Sequence, residues 1–292
     1  MQNNYYPFGL KHEGYNSLVG TQSYKYKYQG QELQETGFYS FKWRNYMPDV
    51  ARFFNIDPLA AKYPHNSTYA FSENRVIDAR ELEGLEAFVI HGTTQQKTGP
   101  SFSKEALKEL QKIGGNSVMN TSFRWNSPLS NDRGMRSDTA RLLVTHVLST
   151  REKMIKDGTI TEKEPVTLIG YSHGGNVSIQ SIDRISKQLG IKINLVTVST
   201  PVYSNNSEDP TNKTSINEHT QIVHQNDAVT SFYAGGEDTY PSSDTHKVTN
   251  RVISNEEIKL DGGIEAHTDL PIDKKLPEVL RTVPRINNNQ QR

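Results

Sequence analysis

The sequence predicts an α/β fold, a mostly parallel sheet with flanking helices, preceded by a small β-rich region. Three observations carry that expectation. From Leu85 onward, short apolar strands alternate with longer stretches of helical periodicity, as crossover helices joining parallel strands require. Within that part, Val166-Thr167-Leu168-Ile169, then Gly170-Tyr171-Ser172-His173-Gly174-Gly175, then an amphipathic run, read as strand, sharp turn and helix. The first 84 residues, by contrast, are rich in Tyr, Phe and Gly with few helical patterns. The expected division is therefore 1–84, 85–284 and a polar tail, 285–292, predicted to be disordered.

Taken in order, Tyr24 to Gly30 and Phe38 to Trp43 have the alternation and glycine punctuation of short strands. Glu86 to Ile90 reads as a buried strand. Lys104 to Ile113 reads as a helix stopped by Gly114-Gly115. Thr139 to Ile155 reads as a second helix, with Leu142, Leu143, Val147 and Leu148 on one face. After the turn at Ser172, Ile179, Ile182, Ile185 and Leu189 recur at helical spacing, and Gly190 is a natural stop. Strands are predicted at Ile193 to Val198, Gln221 to His224 and Lys247 to Ile253, and a last helix at Leu276 to Thr282.

Composition excludes several classes. The 33 basic and 33 acidic residues balance, so no electrostatic grip on nucleic acid or acidic lipid is expected. Without cysteine there are no disulfides, no thiolate metal site and no cysteine nucleophile. The histidines lack the helical spacing of a metal site, and Gly114-Gly115 and Gly235-Gly236 lack the lysine and strand of a phosphate loop; no metal or cofactor is expected. Met1-Gln2-Asn3-Asn4-Tyr5 does not open a secretory signal, and no apolar run reaches the ~18 residues of a membrane span. The expectation is a protein of the bacterial cytoplasm that leaves, if it leaves, by a specialised secretion system.

Residues 4 to 86 carry Asn4-Tyr5-Tyr6-Pro7-Phe8-Gly9, Tyr28-Gln29-Gly30-Gln31-Glu32-Leu33, Ala51-Arg52-Phe53-Phe54-Asn55-Ile56-Asp57-Pro58-Leu59-Ala60 and Tyr69-Ala70-Phe71-Ser72-Glu73-Asn74-Arg75. This stretch resembles the C-terminal end of the core of RHS (rearrangement hotspot) repeat proteins. In that family the core is a β-shell that encloses a toxin, and many members release it by aspartyl self-cleavage. The resemblance implies that this region is a C-terminal remnant of such a core, too short to build a shell. Asp57 and Asp78 match the paired acids, which would place cleavage near Gly84-Leu85. The chain departs from the pattern here, because Asp78-Ala79-Arg80-Glu81-Leu82-Glu83-Gly84-Leu85 lacks the usual proline and lengthens the gap. The alternative is that Asp57 opens a turn before Pro58 and Asp78 is a solvated loop residue.

A bare Gly-x-Ser-x-Gly is a weak signal, and an ordinary turn with Ser172 as a helix cap would also produce it. Its strand-turn-helix context favours a nucleophile, which needs a base held by an acid and amides for the oxyanion. Residues 86 to 282 resemble the α/β-hydrolases, in which the order is serine, acid, histidine. Asp227, just past a strand end, is the best acid, with Asp244 and Asp269 as substitutes. His224, His246 and His267 could each be the base. His224 lies within a strand, and His267, in a loop before the last helix, is favoured over His246. The oxyanion amides would come from His173, after the nucleophile, and from Gly92 or Thr93 in Val89-Ile90-His91-Gly92-Thr93-Thr94.

The polar stretches 121–138, containing Trp125, and 201–218 are candidate lids. The residues support ester or acyl-transfer chemistry. The RHS association implies a lipase-like toxin acting on phospholipid, with an immunity protein and an RHS shell or secretion apparatus as partners. A small-molecule ester, thioester or amide as substrate, and a non-catalytic cargo acting by binding, remain alternatives.

Overall fold

The computed structural model describes residues 4–12, 28, 31–41, 44–56, 67–71, 86–99, 102–115, 118–157, 160, 162, 164–203, 207–231 and 239–286. Asp57, Asp78, the Gly84-Leu85 junction, the predicted strand at 24–30 apart from Tyr28, and residues 287–292 of the tail lie outside them. The chain divides into two compact units, Met1–Glu83 and Gly84–Arg292.

In the first unit, four short strands, β1 (Glu32–Leu33), β2 (Tyr39–Ser40), β3 (Asn45–Met47) and β4 (Arg52–Phe53), form an antiparallel meander. Strands this short hold one another weakly, so aromatic packing supplies the cohesion. Tyr39, Phe41, Tyr46, Phe53 and Phe71 form its core, with the Tyr46 and Phe71 rings stacked at 4.0 Å. The phenols do not go unsatisfied: Tyr28, Tyr46 and Tyr39 donate to the carbonyls of Pro7, Phe8 and Gly9.

The second unit is a six-stranded parallel sheet. Along the chain its elements are β5 (Glu86–Ile90), α1 (Lys104–Ile113), β6 (Val118–Asn120), α2 (Arg133–Lys156), β7 (Val166–Tyr171), α3 (His173–Leu189), β8 (Ile193–Val198), β9 (Ile216–His224), α4 (Ala228–Ser231), β10 (Val248–Ile253), α5 (Gly263–Thr268) and α6 (Leu276–Leu280). The sheet order is β10-β9-β8-β7-β5-β6, and every pair is parallel. From β5 the chain steps outward to β6, then returns past β5 to β7 and continues the other way. Right-handed crossovers therefore put α1 on one face and α2 and α3 on the other. Burial agrees, since α1 and α6 pack with Ala87, Val89, Ile169 and Val196, whereas α2 and α3 pack with Phe88, Ile90, Leu168 and Leu195. Strands buried on both faces read as the continuous apolar runs seen in Glu86–Ile90 and Val166–Tyr171.

The predicted sheet with flanking helices is thus the observed fold class, and the departures have local causes. Helix α2 begins at Arg133, not Thr139, because Asp132 caps it by accepting from the Met135 amide at 2.7 Å. Its inward stripe is Arg136, Ala140, Leu143, Val147 and Arg151, while Leu142, expected inside, is 62% exposed. Two arginines on a core stripe hid the helix's true face. They are buried by pairing, Arg136 with Glu208 through two hydrogen bonds and Arg151 with Glu86. Strand β9 starts five residues before the predicted Gln221, in the polar words Ile216 to Thr220, and β6 was not predicted at all.

The Glu86–Arg151 pair clamps the first strand of the sheet to the last turns of α2 in a setting where both side chains are nearly inaccessible. Removing Arg151 leaves the Glu86 carboxyl, which burial already raises to about 7, buried without its partner. Arg151→Met is expected to cost about 3–5 kcal/mol of stability by urea denaturation, and the double variant with Glu86→Leu to recover most of it.

Candidate active site

The chain order reverses between β5 and β7, and the C-terminal strand ends at such a point are the ordinary ligand position in these sheets. Ser172 sits there at the end of β7. Its backbone has φ 52° and ψ −135°, a conformation that costs a non-glycine residue of order 1–3 kcal/mol. Glycines remove the obstacles to so tight a turn. A Cβ on Gly170 would lie 2.4 Å from the Gly175 Cα, and one on Gly174 would lie 2.4 Å from the His91 carbonyl oxygen. The Ser172 amide donates to the Val198 carbonyl at 2.9 Å, tying the turn to β8.

The structure brings Ser172, His267 and Asp227 together. Ser172 Oγ lies 2.8 Å from His267 Nε2, and His267 Nδ1 lies 3.0 and 3.1 Å from the two Asp227 carboxylate oxygens. A carboxylate only accepts, so Nδ1 carries the proton and Nε2 is left to accept from the serine hydroxyl. All three are buried, at 4%, 7% and 2% exposure. Asp227 is also fixed from its other side. Its Oδ1 accepts from the amides of Val229 and Thr230 at 3.0 and 3.2 Å, capping the single turn of α4.

His267 lies in α5 rather than in the predicted loop. Glu265, which accepts from the Gly262 amide, closes the start of that helix. The other bases are occupied elsewhere. His224 accepts the Asn226 amide on Nδ1, so its Nε2–H donates to the Ile258 carbonyl at 2.8 Å. His246 precedes β10 and lies 3.1 Å from His219, which pairs in register with the first residue of that strand. Asp227 follows the opposite end of β9, about 16 Å along the sheet at ~3.3 Å per residue. Asp244 is exposed, and Asp269 caps the end of α5 and accepts from Thr268.

His173 is the first residue of α3, so its amide has no intrahelical partner. Of the two candidates in the loop after β5, the Gly92 amide is engaged by Gln95 Oε1 at 3.1 Å, which leaves Thr93. Gly92 serves by its smallness, because a Cβ there would lie 2.9 Å from the Ser172 Cβ. His91 holds this loop. Its Nε2 accepts from the Trp125 amide at 3.2 Å, its Nδ1–H donates to the Gly92 carbonyl, and its own carbonyl accepts from the Trp125 indole. Trp125 is therefore a buried prop, 2% exposed, that ties the candidate lid 121–138 to the loop after β5. Glu208 anchors the second proposed lid through Arg136 and Gln180.

The imidazole of His173 was not foreseen as anything but an amide donor. It bridges Thr93 Oγ1 at 2.9 Å and the Tyr203 hydroxyl at 3.3 Å, linking the loops after β5, β7 and β8. Burial, the Arg136 guanidinium and His267 hold its pKa down to about 3, so it stays neutral. Among the described residues no cluster of His, Asp and Glu could hold a metal ion.

No protein-family model matches this sequence, and no curated protein does. Similar solved structures include an α/β serine hydrolase without a lid from Xanthomonas campestris, at 16% identity over 70% of this chain and 85% of that one, TM-score 0.37. Two others are carboxylesterases. EstE1, from a metagenomic library, has 9% identity over 70% and 81%, TM-score 0.42; that of Mesorhizobium loti has 15% over 63% and 85%, TM-score 0.35. Identity and score are both low, and the chemistry argued for this chain rests on its own triad.

Burial also lowers His91, His146 and His246, and burial with the neighbouring His246 lowers His219 well below the ordinary value of 6.5. Folding thus excludes protons that the unfolded chain takes up. The stability these histidines contribute is full above about pH 6.5 and falls as the pH is lowered toward the depressed values. Glu86, raised by burial to about 7, acts in the opposite sense between about pH 4.5 and 7. Thermal midpoints are expected to fall between about pH 7 and pH 4.5, and His173→Asn to flatten the slope by up to about 1.4 kcal/mol per pH unit.

Proposed function

We propose that this chain is a serine hydrolase that cleaves carboxylic esters through an acyl-serine intermediate. The observation that carries it is the continuous line Ser172 Oγ–His267–Asp227 at 2.8 and 3.0 Å on a strained turn at the sheet's switch point. Ser172 Oγ attacks the ester carbonyl carbon while His267 Nε2 takes its proton, and Asp227 stabilises the imidazolium that results. The negative charge on the carbonyl oxygen faces the amides of Thr93 and His173, with the N-terminus of α3 behind them. Collapse of the tetrahedral intermediate expels the alkoxide, which takes the proton from His267. Water then enters by the same route in reverse, releasing the acid and restoring Ser172.

The finer reading is that the ester belongs to a membrane phospholipid and that the chain is the toxin cargo of an RHS assembly, exported and held in check by an immunity protein. Its support is the resemblance of residues 4 to 86 and the position of the hydrolase unit directly after them. Self-cleavage near Gly84-Leu85 through Asp57 and Asp78 belongs to the same reading. Among the described residues no helix is long and apolar enough to cross a membrane.

Labelling the full chain with a fluorophosphonate, read by intact mass, tests the first reading. One adduct is expected on the parent and none on Ser172→Ala, whose ester turnover should fall by about 10⁴-fold or more. His267→Ala should be nearly as inactive, while His246→Gln should label at close to the parental rate. An unlabelled parent beside a labelled control hydrolase would end the proposal. Release of fatty acid from phosphatidylcholine vesicles tests the finer one, and the same mass spectrum shows whether the chain arrives cut near residue 84.

A further inference from the structure

The Gly-x-Ser-x-Gly pattern leaves residue 171 unspecified, yet here it touches the base. We propose that Tyr171 is a positioning residue that fixes His267 over Ser172, a role that rests on the serine-hydrolase reading. The phenol donates to the His267 carbonyl oxygen at 2.7 Å in a buried contact. The same ring lies against the imidazole, with centroids 5.5 Å apart and planes 27° from parallel. Phe102 packs edge-on to it at 5.7 Å, which sets the ring's orientation.

The sequence explains why the base needs such a hold. Helix α5 has six residues, too few to be stable alone. In a continuing helix the His267 carbonyl would accept from residue 271, but that residue is Pro271, which has no amide hydrogen. The Tyr171 hydroxyl supplies the donor that the proline removes. Because Tyr171 is bonded directly to Ser172, the nucleophile and the base are referred to one rigid ring. The imidazole is thereby located at both ends, by Asp227 at Nδ1 and by Tyr171 at its backbone and face. Displacements of about 1 Å in such a line can cost about 100-fold in rate.

The test is steady-state hydrolysis of p-nitrophenyl acetate by the full chain, Tyr171→Phe and Tyr171→Leu, beside the second-order rate of fluorophosphonate labelling per reactive serine. Tyr171→Phe keeps the ring and loses the donor, so kcat is expected to fall about ten-fold with KM within about two-fold. Tyr171→Leu loses both contacts and should fall about 100-fold. In each variant the labelling rate should drop in step while the final labelled fraction stays complete. Since that rate counts only folded, reactive molecules, a variant that folds poorly lowers the fraction and not the rate. Parental kcat and labelling rate in Tyr171→Phe, or a loss confined to the labelled fraction or to KM, would overturn the assignment. A parent that does not label at all overturns the hydrolase reading and this one with it, whereas a parent and Tyr171→Phe that label equally fast overturn only this one.

Discussion

The second unit depends on one close approach, that of helix α3 to the ends of β5 and β7. Gly170, Gly174 and Gly175 leave no room for a single added carbon, the tightest case being 2.0 Å from a Cβ on Gly175 to the Thr200 hydroxyl. Only because the backbones meet there can the chain turn from strand to helix within one residue, and only that turn lifts Ser172 clear of the sheet. The strain at Ser172 is local and is offset by what surrounds it. Its amide bonds to β8, its carbonyl accepts from the Gly175 amide, and the strands on either side are wholly buried. A rigid sheet can hold a conformation that a loop would relax.

From that point the rest of the site follows from where parallel strands end. The loops after β5, β7 and β9 are the nearest free chain at the switch point, and they deliver Thr93, Ser172 and Asp227. None of these residues has one task alone. Asp227 caps α4, so the amides that order the acid also keep it aimed at His267. Gly92 is needed for its lack of a side chain and not for its amide. His267 comes from farther along the chain, on a short helix with little stability of its own, and is the member of the triad that most needs support from outside.

Much of this could be read from the sequence, and the limits were physical. Ser172 and its helix were legible because sharp turns demand glycine and buried helices repeat every three to four residues. The order serine, acid, histidine narrowed the partners to Asp227 and His267 through the α/β-hydrolase resemblance, with position relative to strand ends doing the sorting. What periodicity could not show was polar residues buried by pairing. Arg136 and Arg151 sit on the core stripe of α2, and partners 72 and 65 residues away neutralise them. The first two turns of that helix therefore looked exposed, and its inward face was misplaced onto Leu142. Strand β9 was cut short for the same reason, since His219 is buried against Thr197 and His246. Trp125 read as part of a polar cover because its partner, the ring and carbonyl of His91, lies 34 residues away.

The same long-range pairing bears on the reaction. In the proposed reaction His267 becomes an imidazolium, and a second imidazole, His173, stands close enough to feel it. Two like charges in one buried site would oppose each other, so only one of the two rings can be cationic. Burial of His173, with Arg136 beside it, settles which. Its guanidinium stands near the Tyr203 ring, 5.3 Å from the centroid, and its charge helps burial keep His173 neutral, while Glu208 balances that charge at two oxygens. His173 can then brace Thr93 and Tyr203 as a neutral ring, and the proton taken from Ser172 goes to the imidazole that has a carboxylate behind it. The buried arginine on the core stripe of α2 thus has a place in the electrostatics of the site.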